Sequence, residues 1–556
     1  MTKTYFLATA SLALAAAAPA HAVPADLAAK AQAYLKSAFP ADQPGAAVII
    51  TDDGKTVFAA GQGLADLPAR TPITPATVFR IGSITKQFSA AVMLQLVAEG
   101  KVSLDDKLSK FFPDYPKPGA DATIAQLLNH TVGVQSYTGI PGWMADEKNT
   151  ERAYTTEQMI ALFKDLPARF EPGEQFQYNN SGYVLVGAVI EKVTGKAWHE
   201  AVDERIARPL GLTSIRYGTV ETSIPGMAKG YTQTDGKQVP ARKIDMSVPH
   251  AAGALLGSVE DLAKWSHALH HGKVVPPELY AKMIAPTLLP DGKSENYGFG
   301  VALSDVRNRK AIRHGGGIFG FSTDALYIPD EDLFVAVFVN SDEPVSSGSV
   351  LSQRLAALAL GDPYPAFEQA AVDAKTIEPL LGVYAYDGGE RRFFARDGKL
   401  YTRRSGASDL EVFPAGGNRF FYGPDSLTWF EVKQDSAGKP VMAMYQNGAA
   451  EPELAFLTGP IPPEPTTVEL PRETLQRYVG SYQAQLGIAK VAFGESGEMT
   501  VQLGRQRPVV LRAVSETEFL AEGVDAKVVF ATEAGRVTGL VLRQGGRELP
   551  AGRMAD

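Results

Sequence analysis

Ser83 and Lys86 stand three positions apart in the stretch FRIGSITKQF, just ahead of an apolar run. Residues at that spacing share a helix face. If the helix begins at Ser83, the hydroxyl lies at its N-terminus, where the backbone dipole favours developing negative charge. A serine is a weak nucleophile and needs a base. A lysine serves as that base only if burial or nearby positive charge lowers its pKa. The same residues also fit a capping serine followed by a surface lysine, so the pair alone decides nothing. Tyr178 and Asn180, in FEPGEQFQYNNSGYVLVG, are the second candidate. Two apart in an extended segment, they project to one side; the phenol can relay a proton and the amide can hold a substrate carbonyl. A capping asparagine and a packed tyrosine are the plainer alternative. His314, Gly315, Gly316 and Gly317 close a strand-like run. Glycine lets a substrate backbone approach a strand edge, and a free main-chain N–H there can serve an oxyanion. The alternative is a glycine-rich bend. His-Gly-Gly-Gly also occurs in α/β-hydrolase esterases, but those need a G-x-S-x-G elbow, which this chain lacks.

The elements that must position these residues mix helices and strands from about Asp26 to Leu360. PGAAVIITDDGKTVFAAGQG reads as two strands around an Asp53-Gly54 turn. SITKQFSAAVMLQLVAEG and SGYVLVGAVIEKVTG have helical spacing and stop at glycine. SVEDLAKWSHALHHG is a third helix, with Ser258 as its N-cap. FSTDALYIPDEDLFVAVFVNS returns to strands, turning at Pro329-Asp330. Antiparallel strands beside helices make this an α+β layer.

After GDPYP the helical periodicity fades and short strand-like runs alternate with turns. GPIPPEPTTVELP divides this region as a stiff proline linker. The two halves repeat: LLGVY ending at Tyr384 matches YVGSY ending at Tyr482, Phe421 matches Phe519, and DSAGKPVMAMY matches TEAGRVTGLVL. A duplicated β domain follows, each copy a small barrel or sandwich. The expected division is a signal peptide at 1–22, a catalytic domain at 23–360, a linker at 361–374, a β domain at 375–459, a proline-rich linker at 460–472 and a second β domain at 473–556.

The chain has 556 residues, 45% hydrophobic and 21% charged, with a formal net charge of -8. That is ordinary for a multidomain globular protein and offers no basic block for nucleic acid or an anionic membrane. Lys3, an apolar run and Ala20-His21-Ala22 form an export signal cut after Ala22, so a periplasmic or secreted location is expected. No later stretch is long enough to span a bilayer. No cysteine is present, which excludes disulfides, thiolate metal sites and cysteine nucleophiles. His267, His270 and His271 have a metal-like look but no zincin motif, and a solvated helix end is the simpler reading. Trp198 and Trp265 read as packing residues.

Ser-x-x-Lys, Tyr-x-Asn and His-x-Gly, in that order, resemble the serine β-lactamase and penicillin-binding superfamily. TIAQLLNHTVGV, GKVSLDDKLSKFFPDYP, RPLGLTSI and AAGALLGSVEDLAKW are similar to its class C branch. The resemblance covers about Ala46 to Asn340. It implies an antiparallel sheet flanked by helices, Ser83 as acylated nucleophile, and Lys86 and Tyr178 as proton-transfer partners. Asn180 would orient the substrate amide, and the N–H groups of Ser83 and Gly317 would form the oxyanion hole. His314 and Gly316 would take the outer places of the family's Lys-Thr-Gly. No metal or cofactor is implied. A titratable imidazole in place of a fixed cation removes a charge-assisted bond worth roughly 1.5–3 kcal/mol, which disfavours substrates with a carboxylate beside the scissile bond. With two β-barrel domains behind it, the arrangement resembles the bacterial D-stereospecific aminopeptidases. Small peptides, amides or esters are the expected substrates. A carboxylesterase, a DD-carboxypeptidase or β-lactamase, and a non-catalytic cell-wall peptide binder are the alternatives. In that aminopeptidase family a loop of the last domain reaches the active site; QAQLGIAK or the stretch around Asp525 can supply it.

Overall fold

The computed structural model describes residues 23–218, 224–344, 346–371, 374–463, 465–484, 487–494, 496–504, 506–533 and 535–554. The expected export signal at 1–22 lies outside the described residues. Six strands form the central antiparallel sheet: β1 (Ala46–Asp52), β2 (Lys55–Gln62), β3 (Ala302–Val306), β4 (Arg309–Ile318), β5 (Phe321–Ile328) and β6 (Leu333–Val339). Their order is β3-β4-β5-β6-β1-β2. The expected hairpin at Asp53-Gly54 joins β1 to β2, with both residues at positive φ, the backbone a two-residue turn of this kind requires.

Strand alternation sorts the sheet into two buried faces. Ala46, Val48 and Ile50 of β1 pack with Val335, Val337 and Val339 of β6 against α1 (Leu27–Ala38) and the helix Gly348–Ala359. Ala47 and Ile49, with Ala336 and Phe338, face the larger helical layer. That layer holds α2 (Thr85–Ala98), α3 (Asn180–Thr194) and α4 (Val259–His270). Helix α2 is buried almost all round, so it runs through the domain interior instead of along its surface. Phe88 stacks on Trp265 at 4.1 Å, and Trp265 donates to Gln87 at 3.1 Å. Trp198 is likewise buried. Asn179 caps α3, its side-chain oxygen accepting from Gly182 N–H, and Gly195 ends the helix at positive φ.

Two closed eight-stranded barrels follow, from Gly382 to Gly459 and from Gly480 to Arg553. The duplication is visible in their anchors. Tyr384 donates its hydroxyl to Leu380 O and Tyr482 donates to Tyr478 O, each at 2.6 Å. The register corrects one expected equivalence. Pro414, Phe420 and Phe430 align across three strands of the first barrel as Ala513, Phe519 and Val528 do in the second. Phe420 is therefore the partner of Phe519. Phe421 points to the outer side, where it stacks on Phe367, because a one-residue step reverses the face. The segment before the first barrel is anchored: Tyr364 is buried, and a side chain at Gly448 would strike its ring. No helix among the described residues is long and apolar enough to cross a membrane.

Tyr482→Phe removes one buried hydrogen bond and is expected to cost about 1 kcal/mol. Amide exchange should show the loss confined to the second barrel; an equal loss across the central sheet would contradict separate cores.

Candidate active site

A short 3-10 turn, Gly82–Ile84, leads into α2 and carries Ser83 at its start. Ser83 N–H belongs to the first turn and has no intrahelical acceptor. Gly82 sits at φ +50, and a Cβ there would press within 3.0 Å of Gly317 N. That close approach sets the Ser83 turn beside the end of β4. The β4–β5 hairpin closes at Ile318–Phe321 around the two residues Phe319 and Gly320. In an antiparallel pair hydrogen-bonded and non-bonded positions alternate. With the closing pair bonded, the Gly317–Ser322 pair is not, and Gly317 N–H turns away from β5. On that other side β3 pairs only as far as Arg313. The N–H groups of Ser83 and Gly317 thus meet at one wall of a cavity of about 370 Å³ lined by both residues. Gly316 is different: a Cβ on it would run into the Ile81 carbonyl and the Thr323 hydroxyl. Its place is against the Ser83 turn, behind the cavity.

Lys86 is fully buried one turn along α2. Its Nζ lies 3.0 Å from Ser83 Oγ, 2.9 Å from Asn180 Oδ1 and 2.8 Å from Ala252 O. Burial without a carboxylate holds this amine well below the ordinary lysine pKa. A neutral amine has two hydrogens and one lone pair. Asn180 Oδ1 and Ala252 O can only accept, so they take both hydrogens. The lone pair is left for the Ser83 hydroxyl proton. Asn180 is itself held, its Nδ2 donating to Thr138 Oγ1 at 3.3 Å.

Tyr178 lies on the extended segment before α3. The residue is 39% exposed, yet protein surrounds its hydroxyl. Burial pushes the phenol above its usual pKa, opposed by a hydrogen bond with Ser83. A lowered amine pKa beside a raised phenol pKa gives Lys86 the chemistry of a base and Tyr178 that of a hydrogen-bond relay. The Lys86 nitrogen lies 4.7 Å from the Tyr178 ring centroid. His130 supports the other side of that ring at 4.2 Å, accepting Asn179 N–H at Nδ1. Burial pushes His130 far below its ordinary value.

His314 is placed next to this group but turned inward. It is 5% exposed. Its Nδ1 lies 2.6 Å from Gly315 O and its Nε2 2.8 Å from Tyr297 OH. Because Gly315 O only accepts, Nδ1 carries the proton and Tyr297 donates to Nε2. Burial lowers its pKa to about 3. The ring is neutral with both nitrogens committed, so it offers a substrate neither a cation nor a free donor. This sharpens the expectation drawn from the missing Lys-Thr-Gly.

Sequence reasoning passed over Ala252, Thr138, Tyr297 and Asp342. Ala252 contributes a carbonyl, which no residue type signals. Tyr297, in NYGFG, acts through a histidine 17 positions away. The stretch around Asp525 does not approach the site: Asp525 accepts from Gly406 N–H and Asp525 N–H donates to Ala407 O, both in the first barrel. Part of QAQLGIAK lies outside the described residues. The histidines at the end of α4 are also not simply solvated. His270 stacks on Tyr327 at 3.9 Å, while His267, His271 and Asp332 bring ligand atoms within 4.8 Å of one another. The hairpin before β6 supplies the carboxylate, which linear spacing does not show.

Lys86→Met should slow fluorophosphonate labelling of Ser83 by at least ~10²-fold. In the wild type, labelling should fall in acid through an ionisation below the usual ~10.4 of lysine. The stability sign is opposite to the activity. The folded lysine binds its proton more weakly than the unfolded one, so it destabilises the fold at neutral pH, and this penalty fades as pH rises toward the unfolded value. Lys86→Met should therefore retain or raise the urea midpoint at pH 7; a large drop would contradict a neutral, strained amine.

A family model described as Beta-lactamase matches residues 31–360. Penicillin-binding protein 4* of Bacillus subtilis (strain 168) is 24% identical over 427 residues, covering 73% of this chain and 93% of that protein. A D-aminopeptidase of Gluconobacter oxydans (strain 621H) is 27% identical over 343 residues, 59% of this chain; the match spans 61% of that relative's length. Among solved structures, the octameric penicillin-binding protein homologue from Pyrococcus abyssi has a TM-score of 0.55 at 27% identity, covering 75% of this chain and 96% of its own. The D-stereospecific amidohydrolase from Streptomyces sp. has 0.51 at 29%, with coverages of 60% and 98%. The D-amino acid amidase from Ochrobactrum anthropi SV3 complexed with D-phenylalanine has 0.51 at 26%, with 58% and 93%. The matched span contains Ser83, Lys86, Tyr178, Asn180 and His314, and the chain belongs to the β-lactamase family, in the penicillin-binding superfamily of serine hydrolases.

Proposed function

We propose that this protein is a D-aminopeptidase-like amidohydrolase that releases N-terminal residues from small peptides or amides through an acyl-enzyme on Ser83. Lys86 takes the Ser83 proton as Oγ attacks the carbonyl carbon. The oxyanion forms against Ser83 N–H and Gly317 N–H, the geometry from which such donors supply ~2.7–4 kcal/mol. Collapse expels the amine, which receives the proton by way of Tyr178. Water then attacks the ester carbonyl as Lys86 takes its proton, and Lys86 returns that proton to Ser83 Oγ as the C–O bond breaks and the acid is released.

The observation that carries the amine-specific reading is Asp342. It lines the same cavity as Ser83. Its Oδ2 accepts Gly320 N–H at 2.8 Å, while its buried Oδ1 makes no hydrogen bond among the described residues. A carboxylate in the cavity wall supplies the countercharge that a substrate ammonium group needs. With His314 neutral and saturated, the site favours an amine-bearing substrate over a carboxylate-bearing one. That argues against a penicillin or a C-terminal dipeptide. Both amidase neighbours match over nearly their whole chains while covering about three-fifths of this one, so the sheet domain is the part they share.

Asp342→Asn is expected to lower kcat/KM on D-alanine p-nitroanilide by ~10-fold or more, in line with loss of a charge-assisted bond. Hydrolysis of an N-acetylated ester should be unchanged. Equal loss on both substrates would contradict amine recognition. Turnover of p-nitrophenyl esters with none of any amino-acyl amide would favour the carboxylesterase.

A further inference from the structure

The second barrel encloses a cavity of about 520 Å³, within the ~300–1,000 Å³ typical of small-molecule sites. Its wall is aliphatic, with Ala484, Ala489, Ala521, Leu503, Leu542 and Leu549 among the lining residues. Eight-stranded barrels have interiors just wide enough either to be filled by side chains or to hold one small ligand. The first barrel shows a polar counterpart, a cavity of about 700 Å³ with Arg391, Thr402, Arg404 and Tyr422 in its lining.

The duplication allows a position-by-position comparison. Ala484 lies two residues past Tyr482, as Tyr386 lies two past Tyr384. Ala489 pairs with Leu503 where Arg391 pairs with Arg404. Ala521 lies two past Phe519, as Tyr422 lies two past Phe420. Leu542 pairs with Leu549 where Met444 pairs with Glu453. In the first barrel Arg391, Arg404 and Tyr422 line the corresponding cavity and make it polar. The Arg391 guanidinium lies 5.6 Å from the Tyr386 ring centroid, Tyr422 and Thr402 share a hydrogen bond at 2.7 Å, and Gln446 donates to Glu453 at 2.8 Å. The second barrel has exchanged two tyrosines and an arginine for alanine, and a glutamate and a second arginine for leucine. It has lost volume and charge together at one end.

Among the described residues, the polar groups lining that cavity are Gln506, Arg507, Gln544 and Ser408, at its mouth. Arg507, Gln506 and Ser408 are exposed. The loop 405–409 of the first barrel lies across this end, with Gln544 Nε2 donating to Gly406 O at 2.8 Å and Asp409 N–H to Gly523 O at 2.8 Å. An aliphatic interior with a cation and amides at its rim fits one ligand chemistry. We propose that the second barrel binds a single-chain anionic amphiphile, a medium-chain fatty acyl group with its hydrocarbon among the alanines and leucines and its anionic head at Arg507.

Calorimetric titration of the full chain with hexanoate, octanoate and decanoate is expected to show one site, tightening roughly fourfold per methylene. Ala489→Arg with Ala521→Tyr, which brings the first barrel's bulky polar side chains into the aliphatic cavity, should abolish saturable decanoate binding while fluorophosphonate labelling of Ser83 continues. Arg507→Gln, at an exposed position, should weaken decanoate at least ~10-fold and leave decanol unchanged. A decanoyl lysophospholipid titrated in parallel separates the two sources of such a chain: binding of the acid alone supports a free fatty acid, and binding of the lysophospholipid supports a lipid acyl chain. No saturable binding of either by the wild type at millimolar concentration overturns the proposal. So does an affinity independent of chain length, or decanoate binding that survives the double substitution.

Discussion

Everything at the candidate active site depends on one buried amine. Lys86 has no carboxylate partner, only the oxygens of Ser83, Asn180 and Ala252. An ammonium in that position would be held away from water with no countercharge, which costs several kcal/mol. The neutral amine suits it, and once neutral its two hydrogens have two obligatory acceptors. The free lone pair then has a single direction, toward the Ser83 hydroxyl. The base is thus prepared by what surrounds it and not by a relay of charge. The same burial keeps Tyr178 a phenol and the imidazoles of His130 and His314 neutral, so the resting site carries no fixed cation among these groups.

That constraint explains much of the surrounding structure. Helix α2 is buried on nearly every side because its lysine has to be. Gly82 and Gly316 lack side chains where the Ser83 turn meets β4, and that contact brings two N–H groups to one wall. The β4–β5 hairpin needs a rigid base, which the sheet provides by burying both faces of β6. The active-site cavity is then lined by the turn, the α3 start and the hairpin tip, with Asp342 just beyond β6. The proposed preference for an amine over a carboxylate rests on Asp342 in the cavity lining together with the uncharged His314.

The sheet, the three long helices and the two β domains were legible in the sequence because each shows its own period. The Asp53-Gly54 turn and the Asn179 and Gly195 helix ends carry their reasons locally. Ser83, Lys86, Tyr178, Asn180 and His314 were legible as candidates through motif order. What the sequence could not show is orientation. His314 is named by its motif, but only the fold shows that Tyr297 and Gly315 take up both nitrogens. Ala252 acts through a carbonyl and Asp342 through its place in the cavity wall, and neither property belongs to a residue type. The one-residue error between Phe421 and Phe519 arose because adjacent phenylalanines look alike in sequence while pointing to opposite sides of a barrel wall. The aliphatic lining of the second barrel's cavity is hidden for a related reason: it is a difference between two copies, visible only once their registers are aligned.

The central claim is that neutral Lys86 delivers Ser83 to an amine-bearing acyl substrate. Rapid-quench mass spectrometry during turnover of a D-alanyl ester tests it most directly. The account predicts a transient D-alanyl adduct on the peptide containing Ser83, forming faster as pH rises through an ionisation below that of ordinary lysine, and absent in Lys86→Met. An adduct on another residue, or steady turnover with no adduct on Ser83 at any pH, would contradict it.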